Sequence, residues 1–80
     1  MKLCLKSGQI ITLSDVHTIR IASTKYGVGK FYDRVTDDEY ISRTNVFALC
    51  SRHRNAMIEF YYNMTKLFCT NTDNIVWLEV

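Results

Sequence analysis

The sequence predicts a small α+β domain, in which an antiparallel β-sheet packs with one amphipathic helix. Short runs of alternating apolar and polar residues at both ends of the chain predict strands, whereas a three- to four-residue apolar period in the middle predicts a helix. The 80 residues are 48% apolar and include no proline. A chain of this length has volume for one hydrophobic core, so residues 1–80 are expected to form a single globular domain.

The first 22 residues predict three strands. Leu3 and Leu5 alternate with polar or small neighbours, residues 7–9 interrupt, and residues 10–13 resume in mostly β-branched side chains, which predicts a hairpin. The next turn is expected at residues 14–15, because Ser and Asp side chains bond the backbone just ahead of them. Ile19 and Ile21 then alternate with polar or small residues. An N-terminal three-strand meander is therefore expected.

The last fourteen residues repeat this pattern, with an apolar run at 67–69, a polar turn at 70–74 and a second apolar run at 75–80. They predict a C-terminal strand pair. Strict alternation puts Trp77, the one tryptophan, opposite Val76, Leu78 and Val80. Trp77 is then either exposed, as a rigid apolar anchor for a partner, or buried beneath a loop.

The middle of the chain is open to two interpretations. Between Val46 and Met64 the apolar residues recur at three- and four-residue steps, which predicts one amphipathic helix with Thr44 or Asn45 as its N-cap and Asn63 at its end. The aromatic and β-branched content instead favours two strands, 46–50 and 56–62, in a mainly-β small barrel. We expect the helix. The acidic residues 37–39 are explained by capping of a short helical turn rather than by magnesium binding.

The segment 25–32 is the most suggestive for binding, since it combines two glycines, two lysines and three aromatic residues. Glycine allows close backbone approach, lysine neutralises phosphate and aromatic rings stack on bases. The spacing does not match a phosphate-binding loop, because Phe31 follows Lys30 where that motif has Ser or Thr. A plain flexible hairpin loop is the simpler interpretation. The candidate binding residues here are Lys25, Tyr26, Lys30, Phe31 and Tyr32.

The densest positive cluster is residues 52–54, where Arg52 and Arg54 flank His53. On a continuous helix Arg52 faces solvent and Arg54 borders the apolar stripe, a common place for an interface arginine. Both are candidate binding residues, although an ordinary solvated helix face is the simpler interpretation. Cys50 and His53 have chelating spacing, but a second ligand pair is missing, so no metal site is predicted.

Bulk properties exclude several functional classes. The net charge of +2 indicates neither a DNA mimic nor a strongly basic nucleic-acid domain. Three widely spaced cysteines are typical of free thiols rather than of a disulfide scaffold. No apolar run is long enough to cross a bilayer, and charge appears too early for a secretory signal, so we expect a cytoplasmic protein without membrane association.

No catalytic motif and no cofactor motif is found, so the sequence favours a non-enzymatic, protein-binding module. Its expected partner is a larger protein, for example a host enzyme or defence nuclease inhibited by a phage- or mobile-element-encoded chain. The alternative is a nucleic-acid or nucleotide binder that uses the basic aromatic segment together with Arg34. A third hypothesis is a homodimer paired through an exposed strand at residues 75–80.

Overall fold

The computed structural model describes residues 1–22, 31–36 and 40–80. Within them the chain forms two antiparallel sheets and one α-helix, and the sheets are not closed into a barrel. The α+β prediction is therefore confirmed, and the barrel alternative is wrong. The elements are β1 (Lys2–Leu5), β2 (Ile10–Thr12), β3 (Thr18–Ala22), β4 (Phe31–Thr36), α1 (Arg43–Arg52), β5 (Met57–Tyr62), β6 (Thr65–Asn71), a 3-10 turn (Thr72–Asn74) and β7 (Ile75–Glu79).

The strands pair differently from the predicted meander and strand pair. One sheet has the order β2-β1-β7 and the other the order β4-β3-β5-β6. Thus β3 does not continue from β2, and β6 and β7 lie in different sheets. The five residues between β2 and β3 explain the first difference: Leu13 and Val16 are both buried in the core, so the chain crosses from one sheet to the other.

Helix α1 is shorter than predicted and begins earlier. Ser42 is the N-cap, and its side-chain oxygen accepts a hydrogen bond from the backbone N–H of Asn45 at 3.1 Å. Thr44 and Asn45, the predicted caps, therefore lie inside the first turn. The helix ends at Arg52, and Asn55 follows with a left-handed φ of 52°. Arg54 consequently lies beyond the helix and not on its face.

The second half of the predicted helix is the strand β5, so the two-strand alternative was right for this half and wrong for residues 46–50. Ile58 and Phe60 point into the core, while Glu59 and Tyr61 are buried on the opposite face. Asn63 does adopt the left-handed conformation predicted for it, with a φ of 51°, but it does so in the β5–β6 hairpin.

Both sheets and the helix bury side chains in one core. The inner face of each sheet supplies alternate residues, and α1 adds one apolar side. Eight of these side chains are almost completely inaccessible: Leu3, Ile19, Ile21, Val46, Leu49, Ile58, Phe60 and Leu78. Because strand residues alternate between faces, the neighbours of these core residues form two outer faces, one for each sheet.

The helix of the described chain is too short to cross a bilayer. The capping segment predicted at residues 37–39 lies outside the described residues.

Candidate functional site

The outer face of the three-stranded sheet carries a row of three apolar side chains. Cys4 in β1 lies directly between Ile10 in β2 and Trp77 in β7. Their chain neighbours Leu3 and Leu78 are completely buried, so alternation turns the row outward. Ile10 is 66% exposed and Trp77 is 41% exposed. We call Ile10, Cys4 and Trp77 the Trp77 row.

Arg43 extends this row toward the helix. It is the first residue of α1, and its guanidinium carbon lies 5.4 Å from the centre of the Trp77 ring and 5.8 Å from that of Phe47. A cation within about 6 Å of an aromatic ring is attracted by the ring's electrons. These contacts place a positive charge at one end of the apolar row, where helix and sheet meet.

A second row on the same face is charged. Lys2 lies beside Glu79 across the β1–β7 pair, and Thr12 completes the row on β2. Lys2 and Glu79 therefore place opposite charges at neighbouring positions. None of the ion pairs formed by the described residues includes Arg43.

The outer face of the four-stranded sheet is organised around a carboxylate. Glu59 is only 7% exposed. Arg20 Nε and the Tyr61 hydroxyl donate to its Oε1 at 2.9 and 3.1 Å, and Lys66 Nζ lies 2.8 Å from its Oε2. Burial acts to raise the pKa of Glu59, but the hydrogen bonds from Lys66, Arg20 and Tyr61 outweigh it and lower the pKa. The charges of Glu59, Arg20 and Lys66 on this face are therefore paired with one another.

A third polar cluster ties the end of α1 to β4. Asp33 Oδ2 accepts a hydrogen bond from Arg52 Nε at 3.0 Å and lies 2.7 Å from His53 Nε2. Burial acts to raise the pKa of Asp33, yet the His53 and Arg52 contacts outweigh it and hold the pKa below its ordinary value. Arg54 Nε donates to Asp73 at 2.8 Å, which lowers the pKa of that carboxyl. This cluster anchors the helix terminus.

No protein-family model, curated protein or solved structure matches this chain. Within residues 1–22, 31–36 and 40–80, no three His, Cys, Asp or Glu side chains are grouped closely enough to hold a metal ion. The chemistry of the outer faces is therefore the basis for any functional inference.

The structure describes only part of the predicted site. Lys25, Tyr26 and Lys30 lie outside the described residues, and for Phe31 and Tyr32 only the backbone, in β4, is described. Arg52 and Arg54 belong to the ion pairs at the helix terminus. Trp77 is exposed, as one of its two predicted alternatives required. The predicted binding roles of these residues stay predictions.

Sequence reasoning missed Ile10, Cys4 and Arg43 as neighbours of Trp77. The alternation around Leu3 and Leu5 does indicate that Cys4 turns away from the core. Its position beside Trp77 depends on the pairing of the first and last strands, which are more than 70 residues apart. No local pattern marks Arg43, because its contact with Trp77 arises only from packing between helix and sheet.

Proposed function

We propose that the protein is a non-enzymatic, protein-binding module that contacts its partner through the Trp77 row and Arg43. The observation that carries the proposal is the exposure of Trp77 and Ile10 in line across one sheet face. Tryptophan and arginine are enriched among the residues that dominate protein interfaces, since each offers a large contact area. Covering this row would remove apolar surface from water, which favours association.

The charges of the described surface favour a protein over a nucleic acid as partner. Arg52 and Arg54 pair with Asp33 and Asp73, and Lys66 pairs with Glu59. Phosphate binding needs lysine and arginine side chains that are available to replace counterions. The nucleic-acid alternative therefore cannot draw readily on these three side chains, and its predicted segment 25–30 lies outside the described residues.

The finer part of the proposal concerns the partner and its compartment. The proposed partner is a larger protein in the cytoplasm. Because the sequence has no catalytic motif, we propose that the chain blocks or modulates an enzyme rather than carrying out a reaction itself. A phage or mobile-element origin would fit such an inhibitor. A homodimer through β7, an edge strand among the described strands, is the competing protein–protein arrangement.

The test is affinity capture from a lysate of the protein's own host, with and without nuclease treatment, followed by mass spectrometry. Wild type and Trp77→Ala are compared. We expect a nuclease-resistant partner protein that wild type retains and Trp77→Ala loses, because truncating an interface tryptophan commonly costs more than about 2 kcal/mol of binding free energy.

Tyr62→Ala is the matched control. Tyr62 is 42% exposed, almost the same as Trp77, but belongs to β5 in the other sheet. It should retain the partner, and circular dichroism should show both variants folded. If nuclease treatment abolishes capture, the partner is a nucleic acid. If Trp77→Ala and Tyr62→Ala lose the partner protein equally, the Trp77 row is not the contact surface.

A further inference from the structure

We infer that the partner presents an Asp or Glu carboxylate beside a bulky apolar side chain, with the carboxylate on Arg43 and the apolar group on the Trp77 row. This inference rests on the proposed function and specifies the chemistry of the partner segment. It follows from the distribution of charge around the row and from how Arg43 is held.

Several basic side chains of the described surface already have acidic partners. Glu59 forms ion pairs with Arg20 and Lys66. Asp33 pairs with Arg52, and Asp73 pairs with Arg54. Arg43 differs from these residues, because its contacts in the described chain are the two aromatic rings rather than a carboxylate. Within the described residues, the positive end of the Trp77 row therefore has no carboxylate partner.

The rings also leave the hydrogen-bonding capacity of Arg43 unused. Among the described residues, none of the hydrogen bonds involves an Arg43 N–H group, whereas Arg20, Arg52 and Arg54 each donate to a carboxylate. A guanidinium presents its donors in a planar fork that fits a carboxylate with two parallel bonds. Contact with Trp77 and Phe47 restrains the side chain, so less conformational entropy remains to be lost on binding.

The apolar row beside Arg43 favours a protein carboxylate over a nucleic-acid phosphate as the group that Arg43 binds. Trp77 offers apolar area next to Arg43, and Cys4 and Ile10 continue that area across the sheet. A nucleic-acid backbone would leave the apolar row without a matching surface. A protein segment with one acidic residue beside an apolar one satisfies both features.

The experiment pans a phage-displayed library of random linear peptides against immobilised wild type, Arg43→Glu, Trp77→Ala and Arg34→Glu. Arg34→Glu is the matched control, since it makes the same charge change at an exposed residue of the other sheet. We expect clones selected on wild type to be enriched in Asp or Glu next to bulky apolar residues. Their affinity should fall at least about tenfold on Arg43→Glu, as expected for loss of a charge-assisted pair, and stay unchanged on Arg34→Glu.

The outcomes separate this inference from the proposed function. Clones that depend on Trp77 but lack acidic enrichment, or that bind Arg43→Glu as well as wild type, overturn the inference and leave the binding module standing. Failure to recover any clone that requires Trp77 contradicts both. Sedimentation of wild type as a dimer that Trp77→Ala dissociates would show a second copy on the row and would also overturn the inference.

Discussion

The two sheets have similar apolar inner faces but very different outer faces. On the four-stranded sheet, Glu59 is buried, and Arg20, Lys66 and Tyr61 contact its carboxylate through ion pairs and hydrogen bonds. On the three-stranded sheet, Ile10 and Trp77 remain exposed, and Arg43 contacts the rings of Trp77 and Phe47. On one outer face the central charges are paired with one another, whereas on the other an exposed tryptophan lies beside an arginine.

This difference separates stability from binding. A buried carboxylate with three donors contributes to folding, because unfolding exposes all four groups and breaks their contacts. An exposed apolar row contributes little to folding but gains when a partner covers it. Substitutions on the two faces should therefore have opposite consequences for the free energy of unfolding and for partner binding.

The largest expected effect on stability is that of Glu59→Ala. Removing the carboxylate leaves Arg20, Lys66 and the Tyr61 hydroxyl without their shared acceptor. We expect the free energy of unfolding, measured by urea denaturation, to fall by about 2 kcal/mol. This is below the usual cost of breaking a fully buried ion pair, since Arg20 and Lys66 remain partly in contact with water.

Glu79→Ala is the matched control on the other outer face. Glu79 is exposed and takes part in none of the ion pairs of the described chain, so its loss should change the free energy of unfolding by less than about 0.5 kcal/mol. Equal destabilisation by the two variants would remove the distinction between the faces.

Lowering the pH should also reduce the stabilisation from the Glu59 network, by less than the Glu59→Ala substitution does. The pKa of Glu59 is lowered from its ordinary value of 4.5, so near this pH the unfolded chain binds more protons than the folded one. The stabilisation is thus present above pH 4.5 and is lost as the pH falls through the lower, folded-state pKa. Glu59→Gln should show a shallower loss of unfolding free energy between about pH 6 and about pH 3 than wild type.

Asp33 and Asp73 also have lowered pKa values, so Glu59→Gln should retain part of the acid dependence. Urea denaturation at a series of pH values measures the slope for both proteins. The contacts of Glu59 imply that it takes up a proton on unfolding at acid pH. If the unfolding free energy of Glu59→Gln falls with pH as steeply as that of wild type, this implication is wrong.

The same network explains why sequence reasoning misassigned β5. A strand with one solvated face shows a two-residue alternation, but in β5 both faces are buried, by Ile58 and Phe60 on one side and by Glu59 and Tyr61 on the other. The alternation is therefore hidden, and the spacing of Met57, Phe60 and Tyr61 imitates a helix. The fold class and most strand positions could be predicted, because they depend on local pattern.

The pairing of the strands and the composition of the site could not be predicted in the same way. Alternation around Leu78 allowed Trp77 to be outward-facing, but its neighbours come from β1, β2 and the start of α1. These contacts join distant segments and are set by how the two sheets and the helix share one core. The hairpin β1–β2 was confirmed since its turn is local, and Gly8 there has a φ of 89° that glycine readily adopts.

Site-specific photo-crosslinking in host lysate would show whether a partner protein binds on the Trp77 row. A photoreactive phenylalanine is placed at Ile10, inside the Trp77 row, or at Met64 in the β5–β6 hairpin, which is 96% exposed and so gives the higher background from exposure alone. We expect a discrete crosslinked partner protein from position 10 and diffuse background from position 64. A discrete partner from position 64, with only background from position 10, would contradict it.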